Sequence, residues 1–344
     1  MPTWDDVADG LARLADEDRF TGSVLVAQGD RTLLESCGGL ACRAAATPIH
    51  PGTRFGLASL SKAFTAAAVL TCVRDGLVGV EDRVEDVLPA SRRPRTMSPE
   101  VTVHHLLSHT SGIGDYAEED EDLPGYVEDY AALWRNRPMY RMERPDDFLP
   151  LYTEAAPTAQ PGAEFHYSNA GFVLLAAVVE EVTGREFVPA VTERVLRPTG
   201  MVSSGYFRSD EAVPDVAVGY LPRTGSEAPW RSNTFSIPVI GGGDGGAHAT
   251  ARDLDRFLRA IAHGDLLGGD LSTQMRSRHV PVADGLWYGY GLYVRADRGF
   301  GHDGGDPGIE TVARHLPDRD LTLVALCNGE GQLAELWPLV LSAL

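Results

Sequence analysis

The sequence predicts an α+β fold: one antiparallel β-sheet built from both chain termini and flanked by helices, with a mainly α-helical domain inserted between them. Three observations lead there. Strand-like runs rich in Val, Leu and Thr lie near both ends, within 22–37 and 288–327. Short turns join neighbouring runs, Gly29-Asp30 near the start and Pro317-Asp318-Arg319-Asp320 near the end, and hairpins of this kind make antiparallel pairs. The stretch between carries apolar residues at helical spacing. The predicted domains are a discontinuous sheet domain, residues 1–80 with 280–344, and a mainly helical domain, residues 81–279, with the site at their junction.

Val7, Leu11 and Leu14 recur on one face, so Trp4 to Glu17 predicts an amphipathic helix. Gly22–Gln28 and Arg31–Cys37 predict a hairpin, and Pro48 to Phe55 a loop. From Ser59 to Leu70 alanines dominate, no proline intervenes, and Leu60, Phe64, Ala67 and Ala68 share a face, which predicts a helix. Short helices are expected at Val84–Leu88 and after Thr102, a capping residue. Glu118 to Asp147, acidic with interspersed prolines and aromatics, predicts an insertion or lid. A strong helix runs from Ala170 to Val182 and stops at Gly184. Pro214 to Pro238 reads as irregular surface chain. Gly241 to Gly246 lacks the Gly-Lys-Ser/Thr of a phosphate loop, so its glycines are expected to let backbone approach closely at a site wall. Thr250 with Asp253 predicts a capping box opening a helix to His263. Tyr288–Val294, Thr311–Leu316 and Leu321–Cys327 are predicted strands, and Leu333 to Leu344 a closing helix.

The net charge of −19 argues against a nucleic-acid groove or an anionic membrane as partner, since both call for clustered lysine and arginine. No apolar run is long enough to span a membrane, and the first residues show neither a basic n-region nor an apolar h-region. Cys37, Cys42, Cys72 and Cys327 form no Cys-x-x-Cys pair and no metal spacing with histidine. They predict reduced packing residues of a cytoplasmic protein, with a Cys37–Cys42 bridge open only to an oxidising compartment. His104 and His105 are adjacent on a helix, do not share a face, and read as structural. Arg314, His315 and the acidic run Glu118 to Asp122 are expected to be solvated.

Ser59 and Lys62 stand one helical turn apart. A hydroxyl is a weak nucleophile until a neighbour takes its proton, and a lysine whose pKa burial lowers can do so. The helix amino terminus adds free N–H groups beside the hydroxyl. Ser-x-x-Lys is common on solvated helices, so the pair gains meaning only with two further motifs. Tyr167-Ser168-Asn169 sits on a turn before a helix, and His302-Asp303-Gly304-Gly305 follows Phe300-Gly301 near a strand edge.

In this order the three motifs resemble the signature of serine β-lactamases and penicillin-binding proteins, above all the class C β-lactamase-like group. In that group the second motif is Tyr-x-Asn and the third Lys-Thr-Gly or His-x-Gly. Leu106 to Gly112 and Gly241 to Leu258 are similar to recurrent family segments, and the resemblance spans Gly22 to Asn328. It implies a β-lactamase/transpeptidase-like fold and a serine hydrolase acting on a small ester, amide or short peptide without metal or cofactor. Ser59 would form the acyl-enzyme, and Lys62 and Tyr167 would share the proton transfers, with two nearby cations favouring the phenolate. Asn169, His302, Gly304 and Gly305 would bind substrate, the N–H groups of Ser59 and Gly305 forming the oxyanion hole. Histidine at 302, where many relatives carry lysine, turns the expectation from β-lactamases toward esterases and D-amino peptidases. Two other outcomes of the same acyl-enzyme stay open: acyl transfer to an alcohol or amine, and a covalent sensor that does not turn over.

Overall fold

Eight antiparallel strands carry the architecture of the computed structural model, which describes residues 2–123, 125–225 and 227–344. The strands are β1 (Gly22–Gln28), β2 (Arg31–Gly38), β3 (Leu40–Cys42), β4 (Thr47–Pro48), β5 (Phe55–Gly56), β6 (His248–Ala249), β7 (Val280–Ala283), β8 (Leu286–Tyr288), β9 (Tyr293–Arg295), β10 (Phe300–Asp306), β11 (Ile309–Leu316) and β12 (Leu321–Cys327). The large sheet runs β2-β1-β12-β11-β10-β9-β8-β7, so the amino-terminal hairpin pairs with the last strand of the chain, Gly22 opposite Cys327. β3 pairs with β4, and β5 with β6. The predicted sheet from both termini is the observed one.

The helices are α1 (Trp4–Asp16), α2 (Lys62–Arg74), α3 (Val84–Val87), α4 (Val103–Leu107), α5 (Pro145–Tyr152), α6 (Asn169–Thr183), α7 (Phe187–Val191), α8 (Ala251–His263), α9 (Gly269–Met275) and α10 (Leu333–Leu341). Period-two alternation splits the sheet residues between two cores. Val24, Val26, Leu323 and Ala325 pack with Val7 and Leu11 of α1 and Leu336 and Val340 of α10. Leu25, Val324 and Leu326 point the other way, into the core that α2, α6 and α8 share. β12 is buried along its whole length, as a strand covered on both faces must be.

Several predicted elements change in detail. Tyr288–Val294 is not one strand but β8 and β9, because Gly291, at φ 64°, turns the chain against the Lys62 carbonyl. Thr250 accepts from Asp253 N, yet no reciprocal bond completes a capping box: the Asp253 carboxylate is taken by Ser203 N, Ser204 and Arg256. His315 is not solvated but fully buried, its Nδ1 3.0 Å from Thr322 Oγ1. Glu118 is likewise buried, 2.9 Å from His166. All four cysteines are free. Among the described residues no helix is long and apolar enough to cross a membrane.

Candidate active site

The β5–β6 pair sets the turn that carries Ser59. Leu57 N donates to Ala247 O at 2.8 Å, and Ser61 Oγ donates to Ala58 O and accepts from Ala247 N. Ala58 takes a left-handed φ of 47°, rare for a residue with a β-carbon, and leads into a 3₁₀ turn over Ala58–Ser61. Ser59 therefore sits on this tight turn, and Lys62 opens α2 behind it.

Lys62 is completely buried, and its amine has three polar neighbours. Nζ lies 2.9 Å from Ser59 Oγ, 2.7 Å from Asn169 Oδ1 and 2.7 Å from the Asp244 carbonyl. Burial pulls its pKa down, while the carboxylates of Asp244, Glu119, Asp115 and Asp306 pull it back up. Its Nζ also lies 4.8 Å from the centre of the Tyr167 ring. The Ser59, Lys62, Tyr167 and Asn169 side chains thus converge, though more than a hundred residues separate the first pair from the second.

The expected phenolate is not favoured. Burial pushes the Tyr167 phenol far above its ordinary range, Glu119 adds to the rise, and a hydrogen bond with Ser59 opposes it. The second cation is missing because His302 is neutral. Its Nδ1 lies 2.5 Å from the Asp303 carbonyl, which can only accept, so Nδ1 carries the proton, and Nε2 accepts from Tyr288 Oη at 3.0 Å. Burial, helped by Lys62, drives His302 down to about 3. Both ring nitrogens of His302 are thus engaged inside the protein.

At Gly304 a β-carbon would stand 2.2 Å from Leu57 O and 3.1 Å from Leu60 N, so Gly304 packs closely against the Ser59 turn. Gly305 faces open space and lines the cleft with Ser59. β9 pairs with β10 only at Phe300 and Gly301, which leaves that side of β10 unpaired by β9 at Gly305. The expected glycine wall is present. Gly243 packs on the Phe172 carbonyl, and Gly245 and Gly246 line the cleft.

The cleft encloses about 1160 Å³. The predicted insertion forms one wall with the 236–239 chain: Trp134 Nε1 donates to Ser236 O and Val239 N to Met139 O, both at 3.1 Å. Carboxylates that no motif marked also belong here. Glu119 accepts from Asn169 Nδ2 at 3.1 Å, and Asp244 accepts from Tyr116 Oη. Asp306 lines the cleft one residue beyond Gly305, and burial, with Asp244 behind it, raises its carboxyl to about 7. Asp115 binds the N–H groups of Asn169 and Ala170 at the start of α6, and burial raises it to about 6. Among the described residues no His, Cys, Asp and Glu group could hold a metal.

The family model described as Beta-lactamase matches residues 8–344. Esterase EstB of Burkholderia gladioli is 33% identical over 266 residues, 71% of this chain and 66% of its own length. A D-aminopeptidase of Brucella anthropi is 27% identical over 341 residues, 91% of this chain but 57% of its own. The crystal structure of a penicillin-binding protein from Bacillus halodurans superposes with a TM-score of 0.88 at 34% identity, covering 96% of this chain and 99% of that one.

Proposed function

Because the chain belongs to the Beta-lactamase family of serine hydrolases, we propose that it cleaves a small ester, amide or short peptide through an acyl-enzyme on Ser59. The observation that carries this reading is the Lys62 amine. Two of its three neighbours, Asn169 Oδ1 and the Asp244 carbonyl, can only accept. A neutral amine spends both its protons on them and aims its lone pair at Ser59 Oγ. Lys62 is then the base: it takes the hydroxyl proton as Oγ attacks the carbonyl carbon. The N–H groups of Ser59 and Gly305 receive the oxyanion. As the tetrahedral adduct collapses, the leaving group takes a proton from the Lys62–Tyr167 pair. Water enters, gives a proton to that pair and attacks the acyl carbon; the acyl–Oγ bond then breaks, Oγ takes the proton from the pair, and the acid leaves. Tyr167 works as a neutral phenol throughout, which its raised pKa supports.

The cleft's charge narrows the substrate. His302 supplies no cation for a substrate carboxylate, while Glu119 and Asp306 present carboxylates beside the nucleophile. This favours an acyl group bearing an ammonium, as in an amino-acid ester or amide, over a β-lactam carboxylate. Four free cysteines, two of them fully buried, support a reducing, cytoplasmic setting. The test is Ser59→Ala. It should abolish hydrolysis of p-nitrophenyl acetate while leaving the circular dichroism spectrum intact. Wild-type turnover by that variant would refute the nucleophile. Product analysis with added alcohols or amines distinguishes hydrolysis from acyl transfer, and a Ser59 adduct that persists in intact-protein mass spectrometry would mark a sensor.

A further inference from the structure

The Leu106 to Gly112 segment takes no part in that chemistry, yet it shapes the turn that carries Tyr167. Four of the five backbone N–H groups from 166 to 170 donate into the loop 109–115. His166 N donates to His109 O at 2.7 Å and Ser168 N to His109 Nδ1 at 3.0 Å. Asn169 N and Ala170 N donate to the two Asp115 oxygens. The N–H of Tyr167 lies between the two that His109 holds. The His109 ring also packs on the Tyr167 ring, centres 4.4 Å apart and planes at 34°.

His109 holds this place at a cost. Its backbone is left-handed, with φ 57°. Accepting from Ser168 N puts the ring proton on Nε2, and that buried nitrogen has no partner. An apolar side chain would fill the same space without an orphaned N–H. What an apolar side chain lacks is a planar acceptor at the δ position, lying against the phenol ring. Burial keeps the imidazole neutral, so the acceptor persists.

We propose that His109 is a positioning residue for the reaction: it fixes the Tyr167 phenol relative to Ser59 by bracketing its turn from both sides. This rests on the hydrolase reading above, and the test separates the two. His109→Phe keeps a flat ring and removes the acceptor. His109→Asn keeps an acceptor at the δ position, suits a left-handed backbone and removes the ring. With p-nitrophenyl acetate, His109→Phe should lower kcat about 10- to 100-fold, as expected for a small displacement of a reacting group, with KM changed less than threefold. His109→Asn should recover about tenfold of that loss. In a Tyr167→Phe background, His109→Phe should lower kcat by less than twofold, because its effect passes through the phenol. Equal losses in both backgrounds, or a loss that merely follows the folded fraction, would overturn the proposal. Should the variants fail to fold, side-chain ¹⁵N NMR of the wild-type protein decides: an Nε2–H tautomer kept down to pH 5 is expected, and an Nδ1–H or doubly protonated ring would refute it. A fully active Tyr167→Phe enzyme would also overturn the proposal, since the phenol would have no role to position; a fully active Ser59→Ala enzyme would instead break the hydrolase reading and leave the tautomer result standing.

Discussion

Two adjacent glycines on β10 face different surroundings, and substituting each by alanine separates support of the nucleophile from contact with substrate. At Gly304 a β-carbon would lie 2.2 Å from Leu57 O, 2.7 Å from Thr311 Oγ1 and 3.1 Å from Leu60 N. Leu57 O is already held by Leu60 N and Thr311 Oγ1, both at 3.1 Å, so it has no free direction of retreat. Restoring normal contact calls for a shift of about 1 Å between β10 and the Ser59 turn. Overpacking of this size costs about 1–3 kcal/mol of stability, and misplacing a reacting group by about 1 Å costs about 100-fold in rate. At Gly305 nothing stands within 4 Å of the added carbon. Gly305→Ala should keep the denaturation midpoint of the wild type, and its kcat/KM should fall more for bulky acyl esters than for acetate. Urea denaturation gives the stabilities, and p-nitrophenyl ester hydrolysis gives the rates. A Gly304→Ala enzyme with an unchanged midpoint and kcat within twofold of wild type would refute the claim that Gly304 supports the nucleophile.

Replacing Lys62 by methionine removes the base but keeps the buried volume, so burst-phase acylation should slow by about 10³-fold or more. Acylation within tenfold of wild type would move the base elsewhere. If Glu119 and Asp306 meet a substrate ammonium, an alanine p-nitroanilide should be preferred over its N-acetyl form. The ratio of their kcat/KM values should drop about 10- to 100-fold in Asp306→Asn, the range of a lost charge-assisted hydrogen bond; an unaltered ratio would remove Asp306 from that role. His302 gives a pH signature. Its pKa is depressed from 6.5 to about 3, so its contribution is complete above pH 6.5 and is lost as pH falls from there toward 3. At about 1.4 kcal/mol per pH unit, the stability gap between wild type and His302→Asn should shrink by about 2 kcal/mol between pH 7.5 and 5. A constant gap would mean that the ring is not held neutral.

The legible part of this protein is what one short stretch encodes by itself. Alternation and turns mark β1, β2 and β12, and helix stops such as Gly184 mark α6. Two short motifs mark Ser59, Lys62, Tyr167 and Asn169. What stayed hidden depends on a partner distant in the chain. The third polar neighbour of Lys62 is the backbone carbonyl of Asp244, and a carbonyl has no residue signature. Glu119 looks like a member of an acidic surface run, and Asp115 belongs to no motif, until α6 docks and places Asn169 against both. For His302 and Gly304 the motif fixes only their position on β10, while Tyr288 and the Leu57–Leu60 turn supply their neighbours.

The charges in the site follow from burial working against one cation. Lys62 is enclosed with carboxylates around it, and the same enclosure that would strip its proton raises Asp306 and Asp115 toward neutrality. In the proposed reaction Lys62 would serve as base without a permanent second cation beside it. The neutral imidazole turned toward Tyr288 leaves Lys62 without a second cation beside it, and the Asp306→Asn and His302→Asn experiments probe that charge balance from its two ends.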